Sequence, residues 1–139
     1  MDVIISVRPE YVQRIIAGKK SIEIRTKRPN LGAGDTIWIY EKLPTGHISV
    51  RTQVDCLKTM TPLSAWRKHK TKIGISCEEY KDYVNGRELI SLIFLRAVRV
   101  LHRPVSLEQL RYAHSEFCPP QFMRKVREPK LIQSLGAAL

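Results

Sequence analysis

The sequence predicts an α+β fold: a small β-barrel with helices inserted between its strands. Short runs of alternating or β-branched residues recur along the chain, and helix-capping signals fall between them. With 139 residues and no repeat, low-complexity segment or linker, the chain is expected to form a single domain over residues 1–139. Apolar residues make up 43% of it, enough to bury a core and too many for a disordered basic tail.

Residues 3–7 are β-branched and mostly apolar and open the fold as a strand. Pro9 suits a first helical position, Val12, Ile15 and Ile16 fall on one helical face, and Gly18 provides the left-handed stop. Residues 21–25 alternate: in a strand, Ser21, Glu23 and Arg25 point one way while Ile22 and Ile24 enter the core. Pro29, Gly32 and Gly34 mark residues 27–35 as a loop. Residues 36–41 form the next strand, with Ile37, Ile39 and Glu41 opposite Thr36, Trp38 and Tyr40. A turn at Pro44-Thr45-Gly46 leads to a longer strand over residues 48–57.

Thr61-Pro62 caps a helix reaching about Lys70, and Ser76-Cys77-Glu78-Glu79 is a capping box for a short helix that Asn85-Gly86 ends after Val84. Residues 88–100 are the most apolar strand, which predicts a central place in the sheet. Ser106 and Gln109 begin another helix, Cys118-Pro119-Pro120 breaks it, and residues 130–138 are weakly helical.

The chain has 24 Lys and Arg against 13 Asp and Glu, a formal charge of +11. Such an excess points to a polyanionic partner, because each neutralised phosphate releases condensed counterions. Its basic residues concentrate in residues 8–28, in Arg67, Lys68, Lys70 and Lys72, and in Arg124, Lys125, Arg127 and Lys130. Residues 89–95 are the most apolar stretch, far short of the ~20 a spanning helix needs, and no basic run flanks a long apolar helical face. The N-terminal residues lack a basic, signal-like start, so a cytoplasmic protein without membrane partners is expected. Cys56, Cys77 and Cys118 are odd in number and widely spaced, which favours reduced thiols. With no CxxC or HxxxH, neither a metal nor another cofactor is expected.

The segment Lys20-Ser21-Ile22-Glu23-Ile24-Arg25 carries the most chemistry. Strand geometry puts Glu23 and Arg25 on one face with Lys20 at the strand mouth. There the carboxylate can accept from a ligand while the cations hold a phosphate or carbonyl; a solvated ion-paired face is the plain alternative. Trp38 and Tyr40 suit either base stacking or core packing. No GxSxG, P-loop or dinucleotide fingerprint occurs, and none of the four histidines sits in a triad context.

Ser6-Val7-Arg8-Pro9-Glu10-Tyr11 followed by Lys20-x-x-Glu23-x-Arg25 resembles the ASCH family of PUA-like barrels. The similarity runs on through Gly34-Asp35-Thr36, Trp38-Ile39-Tyr40-Glu41, Ser76-x-x-Glu79-x-x-x-Tyr83, Asn85-Gly86, Pro104-Val105-Ser106-Leu107 and Pro119-Pro120-Gln121. The resemblance implies a PUA-like β-barrel with a groove for RNA or a nucleotide-like ligand. By position it implies Lys20, Glu23 and Arg25 in the groove, Arg8 and Tyr40 lining it, and Gln121 closing it. RNA is the expected partner, with a role in transcription- or translation-linked regulation.

An enzyme is the alternative: an N4-acylcytidine amidohydrolase or a ribonuclease using Lys20 and Glu23 as catalytic residues. The amidohydrolase branch resembles Lys-x-x-Thr, and here Glu23 replaces the threonine. A carboxylate flanked by Lys20 and Arg25 stays ionised and makes a poor base, which favours binding over catalysis. A basic adaptor for an acidic protein is the third reading.

Overall fold

The computed structural model describes residues 1–139. Strand β1 (Asp2–Val7) leads through α1 (Pro9–Ile16) to β2 (Ile22–Arg25), and then come β3 (Thr36–Glu41) and β4 (His47–Met60). Helices α2 (Pro62–Ile73) and α3 (Cys77–Val84) precede β5 (Ile90–Ser106), α4 (Leu107–Ala113), β6 (Met123–Lys125) and α5 (Pro129–Ala137). The strands form one mixed sheet in the order β2-β5-β4-β3-β1-β6, with β1 and β3 parallel and the other pairs antiparallel. It curls into a half-barrel, with β2 at one edge and β6 at the other.

The two-residue period of the strands divides the core between the faces of the sheet. Ile37 and Ile39 point into one apolar cluster with Val3, Ile5, Val12 and Ile15, where α1 packs. Trp38 and Tyr40 point into a second, under α4 and α5, with Ile4, Ile48, Leu110, Leu131 and Leu135. A third cluster joins Ile22, Ile24 and Leu92 to Ala65 and Ile73 of α2 and Tyr80 and Val84 of α3. Burying each such side chain contributes roughly 1.5–3 kcal/mol, so three clusters together determine the architecture.

Local chemistry sets the element ends. The Thr61 side chain accepts from Ser64 N, and Gly74, at φ +65°, caps α2. Ser76 and Glu79 close a reciprocal capping box on α3, as do Ser106 and Gln109 on α4. Several expectations need correction. Ile16 is 37% exposed and leaves the core to Val12 and Ile15. The strand at residues 88–100 lies one place from the edge, because its outer half extends past short β2 and pairs only with β4. α2 and β4 each run three residues beyond their predicted ends. β6 carries no sequence signal; it forms by antiparallel docking of Met123, Arg124 and Lys125 on β1. No helix is long and apolar enough to cross a membrane.

Candidate functional site

A cleft of about 490 Å³ opens between β2 and α3, bounded by the end of β1, the start of α1 and Lys42. Its floor follows from β2 being an edge strand with both faces covered. Ile22 and Ile24 enter the third core cluster, while Glu23 and Arg25 point into the cleft, 7% and 8% exposed.

Arg25 Nη2 donates to the Ser6 carbonyl at 3.0 Å and to Glu23 Oε2 at 2.9 Å, which uses both of its hydrogens. Arg25 Nε is buried and meets no protein acceptor. Lys20, 2% exposed, donates to the carbonyls of Ile22 at 2.7 Å and Ile73 at 3.0 Å and lies 3.6 Å from Glu23 Oε1. Three acceptors thus surround its three N–H groups. Burial pulls the Lys20 ammonium below its ordinary pKa, and the Glu23 charge opposes that shift.

The opposite wall is a second network. Tyr11 donates to Glu79 Oε2 at 3.0 Å, and Arg14 Nη1 donates to Glu79 Oε1 and the Gly74 carbonyl at 3.3 and 3.2 Å. The Ser76 backbone N–H, assisted by Tyr11, the Ser76 side chain and Arg14, holds Glu79 at about 2 against the effect of its burial. Burial raises the Tyr11 phenol, and its bond to Glu79 adds to that. Tyr83 donates to the Ile24 carbonyl at 3.0 Å and is raised by burial and by the Glu23 charge. Arg8 and Lys42 stand exposed at the rim, and the Arg8 guanidinium lies 5.9 Å from the Tyr11 ring centroid.

Lys20, Glu23, Arg25 and Arg8 all meet in this cleft. Tyr40 does not: it is 2% exposed in the second cluster, on the face of the sheet that α4 and α5 cover. Gln121 is exposed and outside the cleft lining; the contact made by its segment comes one residue earlier, where Ser6 Oγ donates to the Pro120 carbonyl at 2.6 Å. Sequence reasoning missed Tyr11, Lys42, Glu79, Asp82 and Tyr83 as lining residues. The capping box marked Glu79, and its i,i+4 spacing to Tyr83 put both on one helical face, but nothing local pointed that face at β2. No three His, Cys, Asp or Glu side chains gather to hold a metal ion, and all three cysteines are free.

The chain is thus an α+β half-barrel in which a buried Lys-x-x-Glu-x-Arg segment at an edge strand floors a helix-walled cleft. A family model for the ASCH domain matches residues 5–98, and the chain belongs to that family. The ASCH domain-containing ribonuclease of Zymomonas mobilis is 28% identical over 134 residues, 94% of this chain and 90% of that protein. The crystal structure of ASCH from Zymomonas mobilis superposes with a TM-score of 0.91 at 27% identity, covering 98% of this chain and 94% of that one. Human THYN1, solved in complex with 5-methylcytosine-containing DNA, gives 0.59 at 12% identity over 99% and 96% of the two chains. That last likeness concerns the fold alone, an α+β PUA-like half-barrel.

Proposed function

We propose that this protein binds single-stranded RNA, with one nucleotide entering the cleft against Glu23 and Arg25 while Arg8 and Lys42 hold adjoining phosphates. The observation that carries the reading is the Arg25 guanidinium beside the Glu23 carboxylate in the cleft lining, with Nη2 spent on protein acceptors and Nη1 bonded to none. A hydrogen bond from a charged donor is worth about 1.5–3 kcal/mol, so the cleft favours a ligand that supplies an acceptor. Glu23 beside it supplies acceptors in turn. A wall carrying both suits the edge of a base better than a bare phosphate, which would want cations alone. The volume lies within the ~300–1,000 Å³ usual for small-ligand sites. A relative named as a ribonuclease over nearly the whole chain supports RNA as the ligand class.

The test is fluorescence anisotropy with single-stranded RNA, folded tRNA and duplex DNA, comparing wild type with Arg25→Gln and an exposed control, Lys130→Gln. Arg25→Gln is expected to weaken single-stranded RNA binding about 10- to 100-fold, the worth of one or two charge-assisted hydrogen bonds. Equal losses in the two variants would sink the specific cleft.

RNA cleavage in the same cleft is a second reading, favoured by the name of that relative. Lys20 spends two N–H groups on the Ile22 and Ile73 carbonyls and lies 3.6 Å from Glu23, so it acts by holding that carboxylate, and Glu23 remains the candidate base. Cleavage of RNA but not of its 2′-deoxy counterpart, abolished in Glu23→Gln, is the expected signature. Turnover of N4-acylated cytidine with RNA left intact would instead select the amidohydrolase alternative.

A further inference from the structure

Outside the cleft, α2, β4 and β5 bring together a cationic surface around two aromatic rings. Lys68 and Lys72 are one turn apart on α2, with His69 between them. The Lys58 ammonium of β4 lies 5.2 Å from the centroid of Phe94 on β5. His69 meets that ring edge-on at 5.2 Å and 87°. All three lysines are close enough for His69 to feel: burial, then the Lys58, Lys72 and Lys68 charges, draw its pKa below the ordinary value. None of the three pairs with a carboxylate, whereas Arg14, Arg25 and Arg124 each hold a glutamate.

Like charges at i,i+4 repel, and here a third lysine is added with no acid to relieve them. A polyanion supplies the missing charge, and half-buried rings among exposed cations are a setting that holds single-stranded nucleic acid without regard to sequence. The surface is also joined to the cleft. Ser21 N donates to the Lys72 carbonyl at 2.9 Å, and Lys20 Nζ to the Ile73 carbonyl, so the C-terminal end of α2 abuts the segment that floors the cleft.

We propose that Lys58, Lys68 and Lys72, with His69 and Phe94 between them, carry the backbone and bases that flank the nucleotide held in the cleft. This rests on the RNA-binding reading above and gives the RNA a direction across the molecule: from the cleft past the C-terminal end of α2, and away from the far end of the β4–β5 pair.

Anisotropy with labelled oligouridylates of three and twelve nucleotides tests it. The triple variant K58Q/K68Q/K72Q is expected to bind the trinucleotide within twofold of wild type and the twelve-mer at least tenfold more weakly. The slope of log affinity against log salt should fall by about 2, since each single-strand phosphate contact contributes ~0.7. A charge-matched control, R99Q/R103Q/K130Q, drawn from the far half of β5 and from α5, should leave both oligomers unaffected. Equal effects of the two triples would mean a nonspecific coat and overturn the proposal. Binding of polyglutamate but not RNA, lost in the first triple, would overturn it in favour of an acidic protein. If the first triple behaves as expected while Arg25→Gln changes nothing, the cleft reading fails and the surface stands. If wild type binds neither oligomer, both fail.

Discussion

Lys20 and Arg8 carry the same charge at the same cleft, yet burial gives them opposite roles. Arg8 is exposed and free to meet a ligand; Lys20 is 2% exposed, with three protein acceptors around its ammonium. Lys20→Met strands two buried carbonyls and removes one of the two cations on Glu23. Breaking a buried pair this way costs about 3–5 kcal/mol, so a urea titration should show a loss of that size. Arg8→Ala should stay within about 0.5 kcal/mol in the same titration while weakening RNA binding. Strand geometry in the sequence located Glu23 and Arg25 with Lys20 at the strand mouth, and the family resemblance added Arg8. Alternation reports which side of a strand a residue faces and says nothing about what covers that side. This is why Tyr40, indistinguishable by pattern from a stacking platform, lies in the core.

At the scale of elements, the cleft depends on how closely α2 and β2 approach. A Cβ on Gly74 would lie 2.5 Å from the Lys19 carbonyl oxygen and 2.8 Å from Lys20 Cβ, at a φ of +65° that side chains resist. Gly74→Ala should therefore destabilise the fold by more than ~1 kcal/mol, beyond the usual glycine effect. It should also lower RNA affinity, since it pushes Lys20 away from Ile73. A melt and an anisotropy titration on one sample check both. Most helices were legible because their caps are local: Thr61, Ser76 and Ser106 each hold backbone N–H groups within three residues. β6 was not, because three residues paired to β1 from 120 positions away leave no local trace.

For the whole molecule, two carboxylates on different elements set the acid limit. Glu79 joins α3 to α1, and Glu128 takes Arg124 at 2.6 and 3.3 Å between α5 and β6. Each is held at about 2, against an ordinary 4.5. A depressed carboxylate stabilises the fold above its unfolded pKa and stops doing so as pH falls through the folded one. Stability should therefore drop between about pH 4.5 and 2. The E79Q/E128Q double variant should flatten that part of the curve, measured by denaturant midpoint against pH. Long-range architecture was less legible than charge or local structure. The order β2-β5-β4-β3-β1-β6 pairs strands far apart in the chain, and the choice of partner lies in the assembled clusters.

The pairing of Glu23 with Ile93 also has a meaning in time. A ribosome exposes Lys20 and the strand bearing Glu23 and Arg25 first and completes its partner about 70 residues later, which at ~5–20 residues per second is several seconds. Throughout that interval the basic residues of the emerging chain lack the partner strand that fixes their arrangement. The cleft takes its shape only when β5 is released and pairs with the strand that carries Glu23 and Arg25.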